Sequence, residues 1–309
     1  IVKLNKEVLL MIYAVIDIGS NTIRLSVYKV IKDSVKNLFN EKSTASLASF
    51  IEKGVMNEHG IQKLINTLNE FKNLISNFED ISKTFAIATA SIRNSSNRRE
   101  IIERVRTEVG MDIELISGEE EAKLSFLGAG IDSKSGILTD IGGGSSEIVV
   151  FEQGKVVRTS SLNIGSLVAF DNFSKNLFMT NDEKKLLEDD IKLMLAFNNL
   201  NRVQHDIVCA VGGTARACLK LYNEIYDKES GNVIITMDGL KKLINTLMSM
   251  PDREKMKLIL KVKADRVHTL IPGMIILYRI SKYFYADIIR ISMTGIREGF
   301  VYHRILGRG

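Results

Sequence analysis

The sequence predicts an α/β protein built from two related domains that face each other across a cleft. The first observation is a repeated motif, because DIGSNT at residues 17–22 and DIGGGS at residues 140–145 are each followed by an apolar run. Each copy has the pattern of a strand, a tight turn and a second strand. The second observation is that predicted strands alternate with predicted helices. A chain of 309 residues is long enough for about two domains of ordinary size.

The first half of the chain has the pattern of a three-stranded antiparallel meander followed by alternating helices and strands. Asn57 is a predicted N-cap, and apolar residues recur at helical spacing from Ile61 to Ile75. Gly110 is a predicted helix stop. The predicted strands are 13–18, 23–30, 35–47, 84–90 and 112–116, and the predicted helices are 58–77, 95–109 and 119–130.

The second half restarts at Ile137 with three strands and then becomes mostly helical. Asp182 and Glu183 place negative charge at the start of a long helix, which suits the positive end of the helix dipole. No Pro- or Ser-rich linker separates the halves, so we expect a hinge within 128–136. The predicted strands are 137–141, 146–152, 155–163, 206–211 and 287–292, and the predicted helices are 181–203, one ending near 225, 237–249, 252–260, 265–284 and 296–306.

The composition predicts a soluble globular protein in the cytoplasm. Hydrophobic residues make up 45% and charged residues 26%, which is normal for a chain with one or more cores. No apolar run reaches the roughly 20 residues of a membrane span, and the apolar start of the chain lacks a small-residue cleavage site. Cys209 and Cys218 show no metal or redox spacing, so we predict reduced packing residues. A net charge of +5 suits a polyanionic partner, but no basic run interleaved with aromatics indicates nucleic acid.

The two Gly/Ser/Thr turns have the composition of phosphate-binding loops. Glycine allows positive φ and close approach of a ligand, and successive backbone N–H groups form a concavity that holds anions. A single turn of this kind is more often just a turn, but two copies in the same order argue for a phosphate chain held in the cleft. The predicted phosphate-binding residues of the turns are Gly19, Ser20, Asn21, Thr22, Gly142, Gly143, Gly144, Ser145 and Ser146.

Acidic residues at the strand ends predict a metal site. Asp17 and Asp140 end the first strand of each copy, where a carboxylate can hold hydrated Mg²⁺ against phosphates. Aligning the two copies puts Arg24 opposite Glu147, so equivalent positions carry opposite charges. Our hypothesis is that Arg24 contacts phosphate oxygens, whereas Glu147 and Asp140 bind Mg²⁺ or the attacking water. The alternative is a plain salt bridge between Arg24 and Glu147.

Six segments together resemble the exopolyphosphatase/guanosine pentaphosphate phosphatase family of the actin-like ATPase superfamily. They occur in the family's order and cover nearly the whole chain. The resemblance implies two actin-like (ribonuclease H-like) domains, each a five-stranded mixed sheet flanked by helices, with an interdomain cleft. The segments are DIGSNTIRL (17–25), ATASIRNSSN (88–97), ISGEEEAKLSFLGA (116–129), LTDIGGGSSEIV (138–149), AVGGTARA (210–217) and SMTGIREGF (292–300).

The resemblance also implies a domain division. The first domain is predicted to span 11–128 together with a returning C-terminal helix at 296–309, and the second to span 129–295. Longer family members carry a further C-terminal helical domain of the HD type, which this chain ends too early to contain. We therefore expect less processive action and a preference for shorter chains, unless a second subunit of a homodimer completes the binding path.

An acidic triplet supplies the predicted catalytic base. Three adjacent glutamates on a helix point about 100° apart, so only one of them faces the cleft squarely. The family places its catalytic glutamate at the third position, here Glu121, and ordinary acidic helix capping is the alternative. Arg93 follows the strand 84–90 and can fork two phosphate oxygens in the transition state. The alternative for Arg93 is a surface arginine.

Two later segments are predicted to bind the substrate. Gly212, Gly213 and Thr214 lie between a buried strand and a helix N-terminus, which attracts anions. Arg266 resembles the family's arginine ahead of a Pro-Gly pair. His268 stands where the family usually has an acidic residue, and we treat it as a residue on the helix surface rather than a ligand.

The resemblance implies a phosphoanhydride hydrolase that releases terminal orthophosphate from inorganic polyphosphate, or the 5′-phosphate from guanosine pentaphosphate. Such a reaction needs an attacking water, a base and cations to offset charge. Mg²⁺ is the expected cofactor, with Mn²⁺ as an alternative and K⁺ stimulation left open. Two rivals are an actin-fold ATP-dependent small-molecule kinase and a non-catalytic regulator that binds polyphosphate or an alarmone. The acidic triplet argues against both.

Overall fold

The chain divides into two compact units in a computed structural model that describes residues 10–131, 135–198, 200 and 205–308. One unit is Ile1–Ile116 with Arg304–Leu306, and the other is Ser117–His303 with Gly307–Gly309. Part of the predicted hinge at 128–136, the predicted end of the helix 181–203 and the first nine residues lie outside the described ranges. In the described part of the chain, no helix is long and apolar enough to cross a membrane.

The first unit is a mixed sheet with helices packed against it. Its elements are β1 (Leu10–Ile18), β2 (Thr22–Ile31), β3 (Ser34–Thr44), a 3₁₀ turn (Leu47–Phe50), β4 (Ile51–Glu52), β5 (Val55–Met56), α1 (Glu58–Ile75), β6 (Ile81–Ala88), α2 (Ala90–Arg93), α3 (Arg98–Val109) and β7 (Ile113–Leu115). Among the described residues the sheet order is β3-β2-β1-β6-β7, with β1 antiparallel to β2 and parallel to β6. The carboxyl ends of β1 and β6 therefore meet at one edge of the sheet.

Local sequence signals explain where the helices of this unit begin and end. The Asn57 side chain accepts a hydrogen bond from Gly60 N at 3.1 Å and so caps α1. The buried apolar face of α1 packs into the core of the unit. Gly110 takes the left-handed conformation, φ 72°, immediately after α3. The predicted cap and the predicted stop are both confirmed.

The second unit is also a mixed sheet flanked by helices. Its elements are α4 (Gly118–Ala129), β8 (Gly136–Ile141), β9 (Ser146–Glu152), β10 (Lys155–Leu162), α5 (Ser166–Phe173), α6 (Asn181–Phe197), β11 (Ile207–Val211), α7 (Gly212–Ile225), β12 (Ile234–Thr236), α8 (Met237–Ser249), α9 (Asp252–Lys263), α10 (Leu270–Tyr283), β13 (Ile288–Ile291) and α11 (Ile296–Phe300), which continues as a π-helix (Val301–Ile305). The predicted α/β class with two mixed sheets is confirmed.

This second sheet has one strand more than predicted. Within the described ranges its order is β10-β9-β8-β11-β13-β12, which makes six strands rather than five. The extra strand is β12, and it pairs antiparallel with β13 at the edge of the sheet. A strand of three residues is too short to show an alternating pattern, so only its tertiary pairing defines it.

Two helices group with the second unit although the predicted division placed both of them in the first domain. These helices, α4 and α11, pack backbone to backbone at glycines. A Cβ on Gly128 would lie 1.9 Å from Gly295 O, and a Cβ on Gly299 would lie 1.8 Å from Leu124 O. Such close approach is open only to glycine. The predicted return of the chain to the first unit is limited to Arg304–Leu306.

The two cysteines are buried free thiols of the second unit. Burial raises the pKa of the Cys209 thiol to about 11 and that of Cys218 to about 12. A thiol with such a pKa stays protonated at neutral pH and is a poor nucleophile or metal ligand. The prediction that both are packing residues is confirmed.

Candidate active site

The β1–β2 hairpin closes in a tight turn that gathers four of the predicted site residues. Gly19 N donates to Thr22 O at 3.1 Å, and a Cβ on Gly19 would lie 3.0 Å from the same oxygen. Asp17 is the cross-strand partner of Arg24. The Arg24 Nε atom lies 3.5 Å from Thr22 Oγ1, so this guanidinium lies beside the turn.

The β8–β9 hairpin repeats this turn in the second unit. Gly142 N donates to Ser145 O at 3.0 Å, and a Cβ on Gly142 would lie 3.2 Å from that oxygen. Asp140 is the cross-strand partner of Glu147. The two hairpins therefore share their backbone geometry but differ in charge at one position, which holds Arg24 in one copy and Glu147 in the other, as the alignment predicts.

Helix α5 supports the second turn from behind. The first-turn amides of α5 donate to Gly142 O at 2.8 Å and to Gly143 O at 3.0 Å. The described residues contain no cis peptide bond, and a trans peptide points the next N–H opposite to the bonded carbonyl. The amides of Gly143 and Gly144 therefore point away from α5. A Cβ on Gly165 would lie 2.4 Å from the Gly143 carbonyl carbon, so this support requires glycine.

The 3₁₀ turn Leu47–Phe50 and the residues before it support the first turn in the same way. Ala48 N donates to Ser20 O at 3.0 Å, and Ser46 N donates to Asn21 O at 2.9 Å. Both Ser20 and Asn21 are buried. Within the described residues, the buried Asn21 Nδ2 has no hydrogen-bond acceptor. A buried donor of this kind calls for a partner, and an anion at the turn would supply one.

The three glutamates at the start of α4 lie in different environments. The Ser117 side chain accepts a hydrogen bond from Glu120 N at 3.1 Å and caps the helix. Glu119 is exposed and pairs with Lys123 at 2.6 Å, which lowers the pKa of its carboxyl. Glu121 is the buried member of the triplet.

A serine one helical turn after Glu121 contacts Asp140 near the end of β8. Ser125 is fully buried and donates to Asp140 Oδ2 at 2.8 Å. Residues four apart share one face of a helix, so Glu121 lies on the face of α4 that contacts Asp140. Ser125 is not among the site residues that the sequence predicts. A serine four residues after a glutamate is common in helices, so this spacing alone does not indicate a site.

Glycine at the start of α7 encloses the other oxygen of Asp140. Gly212 has φ +88°, and a Cβ there would lie 2.3 Å from Asp140 Oδ1. The Glu147 carboxylate is 1% exposed, and its Oε1 accepts hydrogen bonds from Ser145 Oγ at 2.7 Å and Ser161 Oγ at 2.9 Å. Asp140 and Glu147 are thus cross-strand neighbours in the second unit, and each carboxylate accepts hydrogen bonds from serine hydroxyls.

The donor set of this pair fits a hard cation. Mg²⁺ keeps several waters and binds through one or two carboxylates together with substrate phosphates. Among the described residues no group of three or more His, Cys, Asp and Glu has the arrangement of a full protein cage. The third predicted metal residue, Asp17, has Arg24 rather than a carboxylate as its cross-strand partner.

Arg266 lies behind the N-terminus of α7. It is 5% exposed, and its Nη1 donates to Thr214 Oγ1 at 3.1 Å. A Cβ on Gly273 would lie 2.3 Å from Thr214 Cγ2, so α10 also presses against this residue. Thr214 and Arg266 are therefore brought together, next to Gly213.

His268 is half-buried in the turn before α10, whereas the sequence predicted a residue on the surface of a helix. Its ring packs edge-on against Phe170 with the centroids 4.9 Å apart, and burial lowers the pKa of the imidazole. Packing against an aromatic ring removes part of the water contact of the imidazole, which disfavours its charged form.

Arg93 ends α2, which begins two residues after β6. Its Nη1 donates to Ile116 O at 2.9 Å. Thr89 N donates to Ile18 O at 3.3 Å, which joins the ends of β6 and β1. Arg93 therefore follows the same sheet edge that carries the Gly19 turn.

The family comparison matches most of the chain. A family model described as the Ppx/GppA phosphatase family matches residues 26–307. A bifunctional 3-dehydroquinate synthase/phosphatase of Fusobacterium nucleatum is 29% identical over 93% of this chain and 46% of its own length. Exopolyphosphatase 1 of Mycobacterium tuberculosis is 25% identical, over 94% of this chain and 87% of its own. A guanosine-5′-triphosphate,3′-diphosphate pyrophosphatase of Vibrio campbellii is 27% identical, over 95% and 59%.

Solved structures share the fold over nearly the whole chain. The Aquifex aeolicus member of the Ppx/GppA family has a TM-score of 0.78 and 28% identity, covering 97% of this chain and 99% of its own. An exopolyphosphatase from Cytophaga hutchinsonii has a TM-score of 0.84 with the same coverage. Its 23% identity makes this second match a statement about fold alone.

Proposed function

Because this chain belongs to the Ppx/GppA phosphatase family, we propose that it hydrolyses phosphoanhydride bonds. The products are terminal orthophosphate from inorganic polyphosphate, or the 5′-phosphate of guanosine pentaphosphate. The names of the mycobacterial and Vibrio relatives support these two substrates. The observation that carries the proposal is the buried Glu121 on the α4 face whose Ser125 hydrogen-bonds to Asp140.

The backbone of the two hairpin turns suits the non-reacting phosphates. In each turn the carbonyls are bonded from behind, so amides such as those of Asn21, Gly143 and Gly144 point the other way. The buried Asn21 side-chain amide adds a donor to the first turn. Preoriented donors stabilise anionic charge without reorganisation during the reaction. That both turns bind the same phosphate chain stays a prediction from the repeated motif.

Glu121 is proposed as the general base. A carboxylate removes a proton from the attacking water, which then forms the new bond to the terminal phosphorus as the anhydride oxygen leaves. Of the triplet, only Glu121 combines burial with the face that carries Ser125, whereas Glu119 is already paired with Lys123. Arg24 and Arg93 are proposed to contact phosphoryl oxygens as cations.

We propose Mg²⁺ as the cofactor, with Mn²⁺ as an alternative and K⁺ stimulation left open. Asp140 and Glu147 would hold the ion, and Asp17 is a further proposed ligand. When bound, the ion would neutralise charge on the substrate phosphates. The cytoplasm is the proposed location, with no nucleic-acid or membrane partner.

An activity panel tests the base assignment. We expect Glu121→Gln to lower kcat for phosphate release by about 10²–10⁴-fold on the preferred substrate, because general-base catalysis contributes about that factor. Glu119→Gln is the matched control on the neighbouring residue, and it should retain near-normal turnover. Both variants are assayed on polyphosphate and on guanosine pentaphosphate, with Mg²⁺ and with Mn²⁺. Equal rates for Glu121→Gln and wild type would refute the assignment.

The same panel separates the two rival functions. Phosphate release without any acceptor argues against a kinase, which would instead transfer phosphate from ATP to a hydroxyl or carboxylate. Tight binding of polyphosphate or guanosine pentaphosphate with no release in either metal would indicate a regulator. The buried Glu121 supports the hydrolase, because a carboxylate near bound phosphates repels them and would weaken the affinity of a protein that only binds.

A further inference from the structure

A cleft of about 210 Å³ lies in the second unit, where the C-terminal halves of α6 and α10 pack together. Among the described residues that line this cleft, three are cationic and none is acidic. The cleft therefore concentrates positive charge. Its lining residues are Lys192 and Leu195 of α6, Arg279, Lys282 and Tyr283 of α10, and Tyr285 just after that helix.

The described residues do not neutralise the three cations of the cleft. Lys192, Arg279 and Lys282 form no ion pair with them, and the buried Arg279 Nε has no hydrogen-bond acceptor among them. A buried donor has lost its contacts with water, so it calls for an acceptor. The negative end of a helix dipole explains Lys282, which lies in the last turn of α10. It does not explain Arg279 or Lys192, because both precede the last turn of their helices.

Tyr285 ends α10 in a backbone conformation that normally belongs to glycine. Its φ is +56°, and no other described aromatic residue has a positive φ. Tyr285 N donates to Lys282 O at 3.2 Å. Ala286 N donates to Ser281 O at 3.1 Å, so the two hydrogen bonds form a Schellman motif. Helices α3 and α4 instead end with a glycine in the left-handed conformation, which a Cβ disfavours.

The side chain of Tyr285 has no local contact that would favour tyrosine over glycine. The residue is 54% exposed, and its side chain forms no hydrogen bond, ring contact or cation–π contact with the described residues. Disfavoured backbone conformations cluster at ligand-binding sites, where the side chain has a use that offsets the strain. An exposed tyrosine ring offers a flat face on which a planar group can stack.

We propose that this cleft binds a nucleoside phosphate, with the phosphate groups at the three cations and the base against Tyr285. A guanidinium and two ammonium groups suit the charge of a diphosphate or triphosphate. Stacking on an aromatic side chain adds affinity for the base. None of the proposed catalytic or phosphate-binding residues lines the cleft, so this site is separate from the proposed active site. The inference does not depend on the proposed hydrolase activity.

A site-specific fluorescence reporter tests the ligand class. The chain contains no tryptophan, so Tyr285→Trp keeps an aromatic ring in the cleft and adds a single indole fluorophore. ADP is the probe, titrated in EDTA to prevent hydrolysis, and it should quench this fluorescence saturably. Adenosine and pyrophosphate each carry one of the two recognised groups, so each should compete about tenfold or more weakly than ADP. No quenching up to about 1 mM ADP, or pyrophosphate as tight as ADP, would overturn the proposal.

Removal of charge in the reporter protein tests the role of the cations. Arg279→Gln should weaken ADP binding by about tenfold or more, because it removes a charge and donors that face the phosphates. Lys192→Gln, at an exposed position, should also weaken binding and serves if Arg279→Gln does not fold. Arg253→Gln is the matched control, since Arg253 is an exposed arginine of α9 outside the cleft. Equal ADP affinities in all three variants would contradict the proposal.

Tyr285→Gly separates a role in binding from a role in folding. Glycine suits the left-handed conformation, so the thermal unfolding midpoint should stay the same or rise despite the greater freedom of glycine in the unfolded chain. In calorimetry, the ADP-binding event that Arg279→Gln weakens should also weaken by about tenfold. Gln153→Gly is the matched control, since Gln153 is exposed with φ +52° and lies outside the cleft. A lower midpoint with unchanged ADP affinity would assign the ring to folding and refute the proposal.

Discussion

Both oxygens of the Asp140 carboxylate have close neighbours in the second unit. Ser125 donates to Oδ2 at 2.8 Å, and Gly212 leaves no room for a side chain beside Oδ1. A carboxylate with such neighbours has few accessible rotamers, so it is already oriented before a ligand binds. Neither contact could be read from the sequence, because each joins residues 15 or more positions apart through the tertiary fold.

Gly212→Ala is expected to lower both activity and stability. The residue has φ +88°, and an added Cβ would meet Asp140 Oδ1 at 2.3 Å. We expect a loss of about 1–3 kcal/mol in the free energy of unfolding from backbone strain and a large drop in kcat from the displaced carboxylate. Gly231→Ala is the control, since Gly231 also has positive φ but nothing within 4 Å. Denaturant unfolding and phosphate release should distinguish the two variants. A similar loss of kcat in Gly212→Ala and Gly231→Ala would show that contact with Asp140 is not the cause.

At the scale of elements, the helices and strands with strong local signals could be predicted, and the elements defined by tertiary bonds could not. The cap at Asn57, the stop at Gly110 and the capped start of α4 all lie in the local sequence. By contrast, the first-turn amides of α5 are satisfied by loop carbonyls, and β12 exists through its pairing with β13. Short elements of this kind have too few residues for a periodic pattern.

Ser125→Ala tests the connection that α4 makes to the acidic strand end. Removal of the hydroxyl frees Asp140 Oδ2, and outer-shell substitutions typically weaken metal affinity by about 10–100-fold. We expect the Mg²⁺ concentration for half-maximal activity to rise by about that factor. Ser281→Ala is the control, because Ser281 is fully buried but its hydroxyl has no hydrogen bond to the described residues. An unchanged Mg²⁺ dependence in Ser125→Ala would reduce Ser125 to a packing role.

At the scale of the molecule, the sequence predicts two α/β units from the repeated hairpin, but its division places α4 and α11 in the first domain, whereas both group with the second unit. Helix α4 contacts β8, β9 and β10 of the second unit, and glycines at 128 and 299 let α11 pack closely against α4. In the sequence these glycines resemble ordinary helix-end residues. The predicted site residues accordingly fall into two sets, and Glu121 belongs to the same unit as Asp140 and Glu147.

The overall charge predicts a salt-dependent affinity for long polyanions. With 42 basic and 37 acidic residues the chain carries a net +5, which attracts polyphosphate over a Debye length. Raising the ionic strength from about 0.01 M to about 0.1 M shortens that length from about 30 Å to about 10 Å. We expect the KM for long polyphosphate to rise several-fold with kcat nearly constant, at fixed free Mg²⁺. Tripolyphosphate, with fewer charges, should show a smaller rise; equal KM values at both salt levels would contradict the prediction.

The paired hairpins also indicate how such a scaffold can diversify. Gly19 and Gly142 close their turns with hydrogen bonds of 3.1 and 3.0 Å, although the neighbouring cross-strand position is Arg24 in one copy and Glu147 in the other. The backbone geometry of the turn is the same in both copies, and the side chain at this position differs in charge. A single substitution at this cross-strand position could therefore change the charge beside the turn, while the backbone of the turn stays the same.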